Sequence, residues 1–314
     1  MAGRDLLVAA PERWDEACFA VPAVRALLAS GLGIGVMCRE EQQEFWQTLA
    51  GLEVLAFPAK AKATAAAPAI RGIWRAALVW APGFVADAVK LAGVPRRLGP
   101  DDRKLQKRLT HPLRIAEKKP EHRVRFYLSA VEAMGSPTGN PEFFAPAGGG
   151  IEPVAGSVLL SPDSDFGPSH EWPLERWLEI SNNILREDLR LTVAGVDDGR
   201  GLGQSISNEL GGRAEYGHVS PLGAALPVLA GHALVIAADG SLAHLAAHVG
   251  TTCVTLFGPN DPAWKRPLGR RHAVVRRHVE CAPCLRAKCP LDARCQRELE
   301  TARVWTVVRE KLGL

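Results

Sequence analysis

Residues 236–262 read IAADGSLAHLAAHVGTTCVTLFGPNDP, and this stretch decides the fold. It continues an apolar run, residues 233–238, that has the length and composition of a buried strand, and Asp239-Gly240-Ser241 breaks that run. Leu242, Leu245, Ala246 and Val249 then fall on one face of a short helix, which Gly250 ends. A second apolar strand over 252–257 runs into the turn Gly258-Pro259-Asn260-Asp261-Pro262. A strand–loop–helix–strand unit of this kind places an acidic residue, small residues and free backbone N–H groups at a helix N-terminus. Such a terminus is where α/β proteins hold phosphate.

The same alternation extends back through the chain. Residues 157–160 and 189–194 read as strands, and 174–185, 202–210 and 221–229 as helices. Residues 145–156, APAGGGIEPVAG, lack any period and read as a linker. Before the linker, strands are expected over 6–10, 33–38, 54–57 and 77–80, with helices over 16–28, 40–49 and 84–91. Strand–helix alternation predicts parallel sheets wrapped by helices. At 314 residues the chain exceeds the usual size of one hydrophobic core. Two α/β domains are therefore expected, residues 1–150 and 151–314, facing a central cleft. A closing helix, residues 302–312, fits against either domain.

Composition narrows the function classes. Apolar residues make up 47% and charged ones 23%, as in ordinary globular proteins, and the net charge of +4 is too small to imply nucleic-acid binding. No leader peptide and no apolar run of membrane-spanning length are visible, which predicts a cytoplasmic protein. Basic residues do cluster between residues 93 and 125, where Arg96, Arg97, Arg103, Lys104, Lys107 and Arg108 stand among prolines. This segment reads either as a solvated loop or as a basic lip for an anionic partner or the inner membrane surface.

Four of the seven cysteines, Cys281, Cys284, Cys289 and Cys295, have the spacing C-x2-C-x4-C-x5-C. Four thiolates this close suit a structural zinc ion or an iron–sulfur cluster, while a plain thiol-rich loop remains the alternative. In the second half, three polar loops leave strands at their C-terminal ends, where open α/β sheets bind ligands. They are residues 161–173 with Ser161 and Ser164, residues 195–199 with Asp198, and Asp239-Gly240-Ser241. His244 sits one turn into the helix that follows, as a core residue or a ligand contact. No glycine-rich dinucleotide fingerprint and no GxxxxGK[ST] is present, so a dehydrogenase or a P-loop NTPase is not supported.

These segments resemble glycosyltransferase family nine, the bacterial ADP-heptose:lipopolysaccharide heptosyltransferases of two-domain GT-B fold. The family signature runs roughly D-S-G-P-M-H-L-A-A-x-x-G-T-P-x-x-x-L-F-G-P-T-D-P. Here Asp239 to Pro262 read D-G-S-L-A-H-L-A-A-H-V-G-T-T-C-V-T-L-F-G-P-N-D-P. F-G-P-x-x-x-W-P, from Phe166 to Pro173, matches the heptosyltransferase II branch, as do C-x-P-C from Cys281 to Cys284 and C-P-L from Cys289 to Leu291. A-V-P-A-V-R-A-L from Ala20 to Leu27 and G-V-P-R-R-L-G from Gly93 to Gly99 also fit.

The resemblance implies two α/β Rossmann-like domains, the first binding acceptor and the second nucleotide sugar. It implies inverting transfer of heptose from ADP-heptose to a lipopolysaccharide core sugar, with no cofactor needed for catalysis. The family's base is an aspartate that opens the first helix. Glu16 occupies that position here, with Asp15 in place of the preceding glycine, so catalysis and helix-terminus stabilisation both stay open. A family lysine that neutralises the diphosphate is replaced by His170, which has no fixed charge near neutrality. An imidazolium beside phosphate, weakened activity, or a different donor would each follow. Asp239 fits the contact to ribose or sugar hydroxyls, with Gly240 and Ser241 beside the phosphates. Arg96, Arg97, Lys104, Lys107 and Arg108 would face the acceptor. A non-catalytic relative that only binds nucleotide sugar, and an epimerase or hydrolase on the same fold, are the competing readings.

Overall fold

A computed structural model describes residues 4–115, 121–148, 150–195 and 201–314. The chain divides into two compact units, Met1–Ala145 and Pro146–Leu314. In the first unit the strands are β1 (Leu6–Ala9), β2 (Ile34–Arg39), β3 (Glu53–Phe57), β4 (Ala76–Leu78), β5 (Arg96–Pro100) and β6 (His111–Leu113). In the second they are β7 (Val154–Ser161), β8 (Arg190–Gly195), β9 (Glu215–His218), β10 (His232–Ala238), β11 (Thr252–Phe257) and β12 (Ala273–Arg276).

Every pairing is parallel, and the two sheets share one topology. Their orders are β3-β2-β1-β4-β5-β6 and β12-β11-β10-β7-β8-β9. Each therefore reverses direction of growth once, between β1 and β4 in the first unit and between β7 and β10 in the second. Loops leaving those two strands diverge, and a crevice opens at the carboxyl ends of the pair.

The sequence explains the centre of each sheet. Leu234, Val235, Ile236 and Ala237 of β10 are wholly buried, as expected for a strand covered on both faces. Burying each such Val, Leu or Ile contributes roughly 1.5–3 kcal/mol. The helix Ser241–Val249 departs from the one-faced pattern, since every residue from Ser241 to His248 is buried. Its alanines, Ala243, Ala246 and Ala247, permit close approach on several sides. The closing helix, Thr301–Leu312, packs on the second unit. There Val304 and Val308 join the core, and Trp172 Nε1 donates to the Leu299 carbonyl at 2.9 Å.

Four strands lie where the sequence shows little strand character. β5 and β6 run through the basic segment that reads as a loop, and β9 (EYGH) and β12 (AVVR) are short edge strands. An edge strand is paired on one side only and needs no continuous apolar run. Pro112 in β6 is compatible with that edge position.

Candidate functional site

In the second unit, three loops converge on Asp239. The residue follows β10 directly and is wholly buried. Its Oδ2 accepts from His170 Nδ1 at 3.0 Å and from Asn260 Nδ2 at 2.7 Å, so the loops after β7, β10 and β11 meet at one oxygen. Ser164 Oγ donates to the Asp239 carbonyl at 2.7 Å. The other carboxylate oxygen, Oδ1, is buried with no hydrogen-bond partner among the described residues. Burial pushes the Asp239 carboxyl above its ordinary value, while the His170 and Asn260 hydrogen bonds and the Lys265 charge pull it back. With the carboxylate ionised, Nδ1 is the protonated nitrogen of His170.

Lys265 went unnoticed in the sequence. It ends the short helix Pro262–Lys265, capped by Asp261, and its side chain is only 6% exposed. Nζ lies 5.8 Å from the Phe166 ring centroid and 5.0 Å from that of Trp264. Lysine is rarely buried without a charged task. Its flanking Trp264 and Pro267 are the only sequence hint, and a weak one.

The helix N-terminus offered to phosphate is already engaged. The Ser241 amide donates to Asp165 Oδ1 at 2.7 Å, and its hydroxyl to Asp165 Oδ2 at 2.6 Å. The Ser241 amide is thus not free: the loop after β7 brings its own anion to it. A Cβ on Gly240 would lie 3.1 Å from Asp165 Oδ1 and 3.3 Å from Ser164 Oγ, which explains glycine at that position. Asp163 does the same for the helix Leu202–Leu210, accepting from the Leu202 and Gly203 amides at 2.7 and 3.0 Å. Ser161 is buried at the end of β7 in register with Ala237, and His244 is buried in the helix one turn beyond Gly240. Asp198 lies outside the described residues.

In the first unit, Glu16 lines a cavity of about 350 Å³ at the carboxyl ends of β1 and β4. Arg123 Nε donates to its two oxygens at 2.9 and 3.1 Å, and the Tyr127 hydroxyl to Oε2 at 2.5 Å. Neither donor is suggested by the sequence, since both lie more than a hundred positions away. Asp15 differs from its neighbour: it is wholly buried and held by Arg13 at 3.0 and 3.1 Å, away from the cavity lining. A second cavity, of about 590 Å³, shares Trp80, Arg123 and Phe126 with the first and adds Asp101, Asp102 and Arg114.

The basic residues expected to face an acceptor line neither cavity. Arg97 donates to the carbonyls of Arg108 and Val94 at 2.7 and 2.6 Å, and Arg108 pairs with Asp87 at 2.5 Å. Those two arginines fasten the β5–β6 connection. Arg96, Lys104 and Lys107 are exposed, and Arg96 opens β5 at the sheet end opposite the crevice. Arg13, Arg114 and Arg123 line the cavities instead, with Arg13 matched by Asp15.

Cys281 is exposed, Cys284 and Cys289 half-buried and Cys295 buried. The Cys295 thiol is pushed up to about 11, by burial first and then by the other three cysteines. Among the described residues no group of three or more His, Cys, Asp or Glu is arranged to hold a metal ion. The cysteine loop does brace the Asp239 cluster. Gln296 Nε2 donates to the His170 carbonyl at 3.0 Å, the Ser169 amide to the Ala287 carbonyl at 3.1 Å, and the Leu285 amide to the Pro259 carbonyl at 2.9 Å.

Two parallel six-stranded sheets of this order match the fold of GT-B structures. The structure of ADP-heptose lipopolysaccharide heptosyltransferase II from E. coli matches with a TM-score of 0.79 at 18% identity, over 98% of both chains. The model of glycosyltransferase family 9 (heptosyltransferase) matches residues 147–294. Lipooligosaccharide heptosyltransferase 2 of Haemophilus influenzae is 24% identical over 132 residues, 40% of this chain and 37% of that protein. The sequence match thus spans under two fifths of that relative's length. The iron-containing dodecameric glycosyltransferase TibC from enterotoxigenic E. coli has a similar fold, with a TM-score of 0.64 at 15% identity, over 99% of this chain and 77% of that one.

Proposed function

We propose that this protein is an inverting glycosyltransferase that moves a heptose from ADP-heptose to a lipopolysaccharide core sugar. The observation that carries the reading is Asp239: a buried carboxylate with one oxygen held by two donors and the other unpartnered among the described residues. An unsatisfied buried acceptor costs about 1–3 kcal/mol, and a hydroxyl-bearing ligand removes that cost. Asp239 would accept from a hydroxyl of the nucleotide sugar, with His170 and Asn260 fixing its orientation. Ser161, Ser164, Gly240 and Ser241 build the loops around it, and His244 backs them from the core.

In the transfer step the acceptor oxygen attacks the anomeric carbon from the face opposite the diphosphate. The bond to the diphosphate oxygen breaks, its electron pair leaves with the phosphate, and the acceptor proton passes to Glu16. Glu16 suits this role because it lines a cavity and its carboxylate is oriented by two donors. Lys265 supplies positive charge for the departing diphosphate, the task that His170, committed to Asp239, does not perform. Arg114 and Arg123 would meet anionic groups of the acceptor, with Lys104 and Lys107 free for more distant phosphates or for the cytoplasmic face of the inner membrane. Among the described residues no helix is long and apolar enough to cross a membrane.

Calorimetry with ADP-heptose, followed by mass detection of the product with and without core acceptor, tests the reading. Binding and acceptor-dependent transfer are expected; absence of binding to any ADP sugar refutes it. A second reading, a relative that binds nucleotide sugar but transfers slowly or uses a different donor, is favoured by the ion pair that already occupies Glu16. It predicts binding without heptose transfer. The four cysteines form a structural metal site in the same proposal, holding zinc or iron; the similar TibC is iron-containing. Metal analysis of the purified protein decides between them and a bare thiol loop.

A further inference from the structure

Glu16 is an acid at the first unit's crevice whose surroundings are built around it. A free glutamate has three rotatable side-chain bonds, and a base must point at the proton it takes. Here two donors fix it. Arg123 and Tyr127 stand four residues apart, one turn of helix, so both reach the same carboxylate. Each is itself held. The Arg123 guanidinium lies 4.0 Å from the Phe126 ring centroid and 5.6 Å from that of Tyr127, and Trp80 packs edge-on against Tyr127 at 5.0 Å. Tyr127 is 2% exposed, and burial, then the Glu16 charge, push its phenol well above the ordinary value, so it stays a donor.

We infer that Arg123 and Tyr127 are positioning residues for Glu16, holding its carboxylate in one orientation at the cavity where the acceptor hydroxyl arrives. This rests on the proposed role of Glu16 as base. Among the described residues, the charged and titratable groups near Glu16 come from two segments. Glu12, Arg13 and Asp15 come from its own segment, with Asp15 matched by Arg13; His122, Arg123 and Tyr127 come from the facing helix and its approach; the loop after β4 lines the cavity with uncharged residues, Trp80 to Ala86. Donors to the ionised form of a carboxylate favour ionisation, so removing one is read as an upward move of the measured midpoint.

The test compares Tyr127→Phe, Arg123→Met and Arg123→Lys with the parent chain. One readout is the pH dependence of transfer; the other is the 13C carboxyl titration of Glu16 in the unliganded protein, which needs no turnover. Tyr127→Phe should move the acid limb, and the titration, upward by about one pH unit, the size of one hydrogen bond to a charged group. Arg123→Met should move both further, and Arg123→Lys should restore part of the shift. A structural role would lower activity or melting temperature while leaving both midpoints in place, and that result overturns the inference. Glu16→Gln separates the two ideas. Full transfer by that variant refutes the base, whereas an inactive Glu16→Gln beside unmoved midpoints in the Tyr127 and Arg123 variants refutes the clamp alone.

Discussion

Replacing Asp239 by asparagine separates what this carboxylate does for a ligand from what it does for the fold. Asparagine is nearly isosteric, and its amide oxygen can accept from His170 Nδ1 and Asn260 Nδ2 as Oδ2 does now. The amide NH2 then falls at the position of the unpartnered Oδ1, presenting a donor where a ligand hydroxyl would donate. A hydrogen bond to a charged group contributes about 1.5–3 kcal/mol, so sugar-nucleotide affinity should fall roughly 10- to 100-fold. Stability should move the other way. Burial raises the Asp239 carboxyl, so its ionisation costs stability at pH values above the folded-state value. That cost fades as pH drops through the raised value towards the unfolded one. The neutral amide of Asp239→Asn carries no such cost, so the unliganded variant should melt no lower than the parent near neutrality, with the gap closing on acidification. Calorimetry with ADP and ADP-heptose and melting curves across pH check both halves. Equal losses for ADP and ADP-heptose place the hydroxyl on the ribose; a loss confined to ADP-heptose places it on the sugar. A variant that melts several degrees lower at neutral pH refutes the reasoning, because the carboxylate would then be serving the fold.

Four further outcomes are expected. Lys265→Met should weaken ADP binding about tenfold or more while changing AMP binding little, measured by calorimetry, and His170→Lys in that background should recover part of the loss if both positions reach the same phosphates. Asp165→Ala should lower stability by about 0.5–2 kcal/mol, the usual loss of a helix cap, without tightening ADP binding; a gain in ADP affinity would mean that diphosphate competes with Asp165 for the helix start. Cys295→Ser should reduce the metal content of the purified protein if the four cysteines share an ion, and leave it unchanged if they do not; Arg108→Ala should cost under about 1 kcal/mol, since its pair with Asp87 is partly exposed, and leave the acceptor KM unaltered.

The central strands were legible because they are buried on both faces. Residues 233–238 and 252–257 spell their burial in unbroken apolar letters, and the helix Leu202–Leu210 is bounded in sequence as it is in space. β5 and β9 were not, because RRLGP and EYGH contain charge, Gly and Pro and owe their pairing to neighbours far along the chain. The site divides the same way. Asp239 and Glu16 sit at strand and helix ends, which sequence marks. Arg123, Tyr127, Asn260 and Lys265 enter through tertiary contacts that no spacing reports. Composition alone does not report the contacts of Arg97 and Arg108, since a cluster of cations looks the same whether it greets a ligand or ties down its own backbone.

The aspartates of the loop after β7 change what the second unit asks of a ligand. Asp163 fills the start of one helix and Asp165 the start of another, so the two helix ends nearest that loop both carry a protein anion. A diphosphate approaching this crevice meets two carboxylates beside those helix starts, and a third at Asp239. Helix-terminus attraction, worth roughly 0.3–1 kcal/mol when free, is therefore taken up by the protein itself. Positive charge for a diphosphate must come from side chains, and Lys265, already drawn into the unit's interior among Phe166 and Trp264, is a cation whose field reaches Asp239. Under the proposed function, the histidine at position 170 would orient the carboxylate that receives a hydroxyl, and Lys265 at the end of the turn after β11 would supply the charge that the resemblance assigns to a lysine at position 170.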